Sequence, residues 1–397
     1  MAKAHAEKCE ILVLNNIAQV GLKRFPAERY AVVKEAKDPQ AILVRSADLH
    51  QHEFGPSLKA VGRAGAGVNN IPVSTLSKRG VPVFNAPGAN ANAVKELVLA
   101  GMLLAARNLP PALDFVRGLR TSPEFEEQVE DGKKQFAGSE LPGHTLGIIG
   151  LGKTGSMVAD AAIRLGMNVL GYDPHITVDA AWSLPSQVRK AASVDEVLKQ
   201  GHFVSLHVPL GEKTRHMIDA KNIDHFHAGA VLLNFSREGI VADNAVVKGL
   251  NSHRLKWYVT DFPSAALLGH AGVIALPHLG ASTREAEDNS AIMVVDQLRD
   301  YLEHGNLQNA VNFPDAAMVR EAPYRLAIAN ANVPDMLGAI SHALGRRRMN
   351  IHNMLNKSKG EMAYTLVDVD SPVPAAMVDE LCQLKGVLAV RYLPADV

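Results

Sequence analysis

Residues 145–155 read Thr145-Leu-Gly-Ile-Ile-Gly150-Leu-Gly-Lys-Thr-Gly155, an apolar run set directly against a G-x-G-x-x-G turn. A short apolar run that ends in glycine predicts a buried strand, and the helical spacing of residues 156–165 predicts a helix behind it. A second apolar run, 167–170, leads into Tyr172-Asp173. Strand, glycine turn, helix, strand and acid together turn a weak motif into a dinucleotide-binding fingerprint. Gly150, Gly152 and Gly155 serve the tight turn, the close approach of backbone amides to a pyrophosphate, and the packing of helix on strand. Lys153 and Thr154 stand in the turn before the helix, whose unpaired amides and positive dipole end favour phosphate. Asp173 stands 18 residues after Gly155. A carboxylate there accepts hydrogen bonds from an adenosine ribose and repels a 2′-phosphate, which predicts NAD rather than NADP. The plainer alternative is a glycine turn that only packs.

Outward from the turn, further apolar runs at 203–206, 231–234, 257–260 and 273–276 are continuous rather than alternating. That is the pattern of parallel strands covered on both faces, a doubly wound sheet. Upstream, 10–14, 41–44 and 81–84 read as strands with helical stretches between them. A long helix is predicted over 92–108, stopped by Pro110-Pro111, and a polar stretch runs on to 143. Downstream, 284–303 reads as an amphipathic helix and 306–322 as a linker. The rest changes rhythm: strand 325–329, helix 336–344, strands 351–356 and 362–369, helix 374–384, strand 387–392. That β-α-β-β-α-β order predicts a separate ferredoxin-like domain over 320–397.

The 397 residues leave room for two or three domains. The 41 basic and 41 acidic residues cancel, which argues against nucleic acid as a partner. No apolar run approaches the roughly 20 residues that span a bilayer, so no membrane partner is expected. Residues 1–10 are polar and do not read as a signal peptide. Cys9 and Cys382 lack metal-ligand spacing and read as ordinary thiols of a reducing compartment. A cytoplasmic protein without a metal site is the expectation.

Three strand ends carry candidate chemistry: Asn234-Phe-Ser-Arg237, Thr260-Asp261-Phe-Pro263 and Pro277-His278-Leu-Gly280. Ligands of open α/β sheets bind outside the carboxyl ends of strands, so Arg237 and His278 can converge on one crevice. Interconversion of a 2-hydroxy acid and a 2-keto acid needs a cation on the carboxylate and carbonyl, which an arginine fork supplies. It needs a proton donor and acceptor working near neutral pH, which suits histidine. A carboxylate normally orients that histidine. The bland alternatives are a capping or core histidine and an ion pair of Arg237 with Glu238.

With these residues in view, the sequence resembles the D-isomer-specific 2-hydroxyacid dehydrogenases. The likeness rests on Val44-Arg45-Ser46, Gly62-Arg-Ala-Gly-Ala-Gly-Val-Asn69, Asn85-Ala-Pro-Gly88, the glycine turn, His207-Val-Pro209, Arg237 and Pro277-His278. It implies an α/β fold in which a Rossmann-type NAD domain, 93–285, is inserted in a flavodoxin-like substrate domain, 1–92 and 286–312. It implies that Arg237 binds the substrate carboxylate and carbonyl and that His278 is the acid/base. Gly65, Ala66 and Gly67 would offer amides to the carboxylate, and Arg45 and Ser46 would help fix the substrate. His207, Pro209, Thr214, Asp261 and Gly280 would line the cofactor. For Arg45 a surface ion pair is a strong alternative. The narrower likeness is to members that oxidise D-3-phosphoglycerate to 3-phosphohydroxypyruvate, the first step of serine synthesis; reduction of another small 2-keto acid is the near rival. The long helix after residue 92 resembles the family's dimer-forming element and implies a homodimer or homotetramer.

The sequence departs from the family at one point. A glutamate usually stands between Asp261 and the Pro-His motif, but residues 262–283 contain no Asp or Glu, and Ala266 takes its place. Reduced activity, a carboxylate distant in sequence, or a sensor of NAD or an amino acid that no longer turns over would each account for it.

The C-terminal stretch resembles an ACT domain, a small amino-acid-sensing module. Asn330-Ala-Asn332-Val-Pro334 and Met349-Asn350-Ile351 match its ligand loops, which implies an amino-acid effector such as serine held by Asn330, Asn332 and Asn350. Members of the family often have His at the position of Asn330 and Gly at that of Asp335. Asp335 has a plainer reading as a helix-terminal acid favoured by the macrodipole. Arg346-Arg-Arg348 reads as a solvated cationic helix end.

Overall fold

A computed structural model describes residues 8–394. Continuous apolar runs become parallel strands. The first sheet holds β1 (Cys9–Leu14), β2 (Tyr30–Val33), β3 (Ala41–Val44), β4 (Ala60–Arg63) and β5 (Val83–Phe84). Its order is β2-β1-β3-β4-β5 and every pairing is parallel, the flavodoxin-like order. The second holds β6 (Thr145–Ile149), β7 (Asn168–Tyr172), β8 (Val188–Lys190), β9 (Phe203–Leu206), β10 (Ala230–Asn234), β11 (Leu255–Thr260) and β12 (Val273–Ala275). Its order, β12-β11-β10-β9-β6-β7-β8, reverses direction between β6 and β9. That reversal is the topological switch point of a Rossmann-type sheet. The third sheet is antiparallel: β13 (Tyr324–Ala331), β14 (Ile351–Lys359), β15 (Met362–Val369) and β16 (Val387–Leu393), in the order β14-β15-β13-β16. With its two helices it is the expected ferredoxin-like βαββαβ arrangement.

The chain forms two compact units, Ala91–Thr283 and the combination of Met1–Asn90 with Arg284–Val397; residues 1–7 and 395–397 lie outside the described residues. In the second of these units the antiparallel sheet shares a core with the first sheet. Ala327, Ala329, Tyr364, Leu366 and Leu393 pack in one cluster with Ile11, Leu43, Phe84 and Leu298. Two further contacts fasten it. Arg325 and Asp368 form an ion pair with both side chains at 0% exposure, and Arg325 Nη1 also donates to the carbonyls of His304 and Met318. Arg391 donates to the carbonyls of Tyr301 and Leu302 and lies 4.4 Å from the Tyr301 ring centre.

Some expected elements differ. Strands β2, β4 and β8 were not expected; each is short, and β2 and β8 are partly exposed. Pro110-Pro111 does not end helical structure. The helix Ala91–Ala106 stops first, Asn108 turns left-handed at φ 49°, and the prolines enter the first turn of a new helix, Leu109–Gly118. There a missing N–H costs nothing, because first-turn amides have no helical partner. The polar stretch beyond it holds a further helix, Phe125–Gly132. The glycine-turn helix begins at Lys153 and not at residue 156. Residues 306–322 are no free linker: Leu307, Phe313 and Ala316 are buried, and Leu307 and Ala316 exchange both backbone hydrogen bonds.

Candidate active site

The glycine turn lies at the carboxyl end of β6. Gly150 adopts φ 96°, and a Cβ on it would stand 2.6 Å from the His207 carbonyl oxygen. A Cβ on Gly155 would collide with the Gly150 carbonyl. Gly152, by contrast, has nothing within 4 Å of where its Cβ would be. It caps the helix Lys153–Arg164 without any side-chain cap, so the amides of the first turn, at Lys153 and Thr154, stay available. Open space over unpaired amides is what a pyrophosphate requires. Asp173 is half-buried; one oxygen accepts from Leu151 N at 2.9 Å and the other from His175 N at 2.9 Å. The acid therefore braces the turn, and each oxygen keeps lone pairs for a further donor.

His207 follows β9. Its Nε2 meets Ser205 Oγ at 2.9 Å, and enclosure of the ring pushes its pKa down to about 4, so the imidazole is neutral near pH 7. Thr214 Oγ1 donates to the Pro209 carbonyl and accepts from Gly211 N, tying the loop 209–214 together.

Arg237 follows β10. Asn234 Nδ2 donates to the Arg237 carbonyl and Asn234 Oδ1 accepts from Ser236 N, which fixes the loop. Arg237 itself is exposed; its Nη1 donates only to the Ser236 carbonyl. Among the described residues no acid pairs with it, so the ion pair with Glu238 does not form. His278 follows β12, exposed, at φ 58°. Asp261, at the end of β11, is 1% exposed and accepts from Leu279 N and Gly280 N at 2.7 Å each. The Phe262 ring lies 4.9 Å from the His278 ring. A cavity of about 460 Å³ brings the loops after β9, β10 and β11 together, lined by Leu210, Asn234, Glu238 and Phe262 among others.

Residues 99–280 match the family described as D-isomer specific 2-hydroxyacid dehydrogenase, NAD binding domain. The D-3-phosphoglycerate dehydrogenase of Haemophilus influenzae is 31% identical over 353 residues, which cover 86% of this chain and 82% of that protein. The chain belongs to the D-isomer specific 2-hydroxyacid dehydrogenases. The D-3-phosphoglycerate dehydrogenase of Methanocaldococcus jannaschii is 35% identical over 72% of this chain, but the match spans only 54% of that longer protein. Among solved structures, NAD+-bound 3-phosphoglycerate dehydrogenase of Entamoeba histolytica superposes with a TM-score of 0.60 at 25% identity, over 77% of this chain and 99% of that one. The unit Ala91–Thr283 is thus an NAD-binding domain, and the open cradle over Gly152 fits that cofactor.

The remaining candidates of this family member lie in the other unit. Arg45 pairs with Glu287 at 2.8 Å, the surface ion pair weighed above. Ser46 N donates to Asn15 Oδ1. Gly65 N is turned to the Arg63 carbonyl, whereas the amides of Ala66 and Gly67 have no partner among the described residues. Asn330 is buried, with Nδ2 donating to the Ala331 carbonyl and Oδ1 accepting from Thr365 Oγ1. Asn332 Nδ2 donates to the Gly360 carbonyl and Asn350 Nδ2 to Asp370. Asp335 takes φ 64°, a left-handed conformation where glycine is at ease, and its side chain makes no cap. Arg346 and Arg347 pair with Glu380. Ala266 lies in an exposed turn. The sequence reading passed over Asn234, Ser205 and Phe262. Asn234 alone carried a signal, an amide closing an otherwise apolar strand.

Proposed function

We propose that this chain catalyses NAD-dependent oxidation of D-3-phosphoglycerate to 3-phosphohydroxypyruvate. The observation that carries the reading is that Arg237 and His278, on loops that leave adjacent regions of one sheet, are exposed and have no acid partner among the described residues. The names of the relatives support this substrate. Bound NAD supplies the hydride acceptor. Arg237 holds the substrate carboxylate and the C2 oxygen through its planar fork. His278 takes the hydroxyl proton on an imidazole nitrogen as the C2 hydride departs, so the alcohol loses one hydride and one proton and becomes a ketone. The neutral His207 and the loop tied by Thr214 shape the cofactor side, with the amides of residues 153–155 toward the pyrophosphate and Asp173 toward the adenosine ribose. Asp261 and Gly280 act by holding the histidine loop. Arg45, Ser46 and the amides of Ala66 and Gly67 serve the substrate, Arg45 after leaving Glu287.

The C-terminal sheet is read as ACT-like. Asn332 and Asn350 remain exposed enough to meet an effector such as serine, whereas the buried Asn330, bonded to Ala331 and Thr365, does not. A homodimer or homotetramer in the cytoplasm belongs to the same reading, with Cys9 and Cys382 both free thiols. Among the described residues no helix is long and apolar enough to cross a membrane.

The test is NADH formation by purified protein with D-3-phosphoglycerate, set against reduction of glyoxylate and hydroxypyruvate with NADH. Turnover is expected to be highest with phosphoglycerate, and Arg237→Ala to lower kcat/KM by about 10²–10³-fold. Tight NAD binding by calorimetry with no turnover on any 2-hydroxy acid would replace the reading with a sensor.

A further inference from the structure

We propose that Phe262 is the positioning residue of His278, orienting by ring contact an imidazole that a hydrogen-bonded carboxylate would otherwise orient. The proposal rests on His278 being the proton acceptor.

Two separate tasks must be met to aim that ring: fixing the backbone and fixing the side-chain torsions. Asp261 meets the first. His278 sits at φ 58°, a conformation that L-residues with a Cβ adopt only when their surroundings impose it. His278 N donates to the carbonyls of Asp261 and Leu276, at 3.1 and 3.0 Å. The next two amides, Leu279 N and Gly280 N, each donate to a different oxygen of the Asp261 carboxylate. Both oxygens thus face the backbone of the loop, and Asp261 is not aimed at the imidazole.

The second task falls to Phe262. Among the described residues neither ring nitrogen of His278 has a hydrogen-bond or ion-pair partner, and residues 262–283 contain no acid that could swing in. The contact the ring does make is with Phe262, at a centroid distance of 4.9 Å and an interplanar angle of 58°. That is a favoured tilted aromatic geometry. Phe262 is itself anchored, since its N–H donates to Thr260 Oγ1 at 3.0 Å. An aromatic ring restricts the histidine torsions but accepts no strong hydrogen bond from either nitrogen. Both nitrogens therefore stay free, one for the substrate hydroxyl and one for water, to which an exposed ring can pass its proton.

Phe262→Leu is expected to lower kcat about tenfold while KM for NAD and for the hydroxy acid stays within about twofold, since aromatic pairs are worth on that order. Phe262→Tyr is expected to restore kcat. Independently of turnover, the His278 ring proton resonances, assigned by their loss in His278→Asn, should be displaced by the Phe262 ring current in the cofactor-free protein and return toward free-histidine positions in Phe262→Leu. The proposal fails if Phe262→Leu leaves kcat and these resonances unchanged, or if Phe262→Tyr is no better than Phe262→Leu. If His278→Asn itself retains full turnover, the acid/base reading fails instead, and the resonance comparison still reports whether the ring is held.

Discussion

Two arginines of this chain show opposite uses of one side chain. Arg237 follows β10 with its guanidinium in solvent and a single bond to its neighbour's carbonyl. Arg325 sits in β13 at 0% exposure, paired through two nitrogens with Asp368 and bonded to the carbonyls of His304, Met318 and Val319. The chain uses every direction of the second fork itself and only one of the first. An arginine enclosed among carbonyls and an acid is committed to the fold; one in solvent with a single local bond is not. The same contrast separates the His278 ring, which has no polar partner among the described residues, from Asp261, whose two carboxylate oxygens each accept from an amide of the histidine loop, Leu279 N and Gly280 N.

The sharpest way to break this comparison is to cut the buried pair. Removing one partner of a buried ion pair leaves the other charge uncompensated and costs about 3–5 kcal/mol, whereas replacing both with apolar residues is often nearly neutral. Arg325→Ala or Asp368→Ala should therefore lower the free energy of unfolding by about that much, read from denaturant midpoints, and Arg325→Met with Asp368→Leu should recover only part of it, because the carbonyls of His304, Met318 and Val319 then lose their donor. Arg237→Ala should stay within about 0.5 kcal/mol of wild type. If the single and double changes in the buried pair cost the same, the pair is not the fastening it is taken for here.

Neither arginine's role is equally open to reading along the chain. Arg237 could be singled out because it follows an apolar strand, and the carboxyl ends of such strands are where ligands bind. Arg325 heads a strand like any other, and its partner stands in β15 by a pairing that no spacing rule supplies. The two parallel sheets were legible because doubly covered strands write themselves as unbroken apolar runs. Strands β2 and β8 were not, because short edge strands have too little apolar content to show a period. Residues 306–322 misled through their polarity, although Leu307 and Phe313 bury them. Among the candidate site residues, the glycines, Asp173, Arg237 and His278 stood out by residue type and position. The aromatic neighbour of His278 did not, since a lone phenylalanine after a strand is first of all a core residue.

Acid offers a second way to sharpen the contrast. His207 is enclosed and uncharged in the fold, with a pKa near 4, against about 6.5 in an unfolded chain. The unfolded state therefore binds more protons between these values, and stability rises with pH through that window. Its contribution is whole above about pH 6.5 and is lost as the pH falls toward 4, by at most about 3 kcal/mol. His202, lowered in the same direction by burial and by the neighbouring His227 and His144, adds to the loss. Going from about pH 7.5 to about pH 5, the unfolding midpoint of the wild type should fall, and that of His207→Gln should fall less. Equal pH slopes would show that the ring is not enclosed as described.

The smallest effect tests whether the fastening of the C-terminal sheet is specific beyond its ion pair. Gly305 ends the helix Arg284–His304 in the left-handed conformation, at φ 76°, and its carbonyl accepts from the buried Tyr364 hydroxyl at 2.7 Å. Tyr364→Phe keeps the ring against Phe313 and removes only the donor. A buried carbonyl left without its partner costs about 1–3 kcal/mol. The expected loss lies at the lower end of that range, because no charge is stranded and the apolar ring still fills its site. Turnover should not change, since the hydroxyl touches no candidate of the NAD-binding unit. A loss as large as that of Arg325→Ala would mean that the sheet is held by one cooperative polar network. A loss near one kilocalorie, with the ion pair several times larger, would show that the charged pair dominates the join, and that the apolar cluster of Ala327, Leu366 and Leu393 carries the rest.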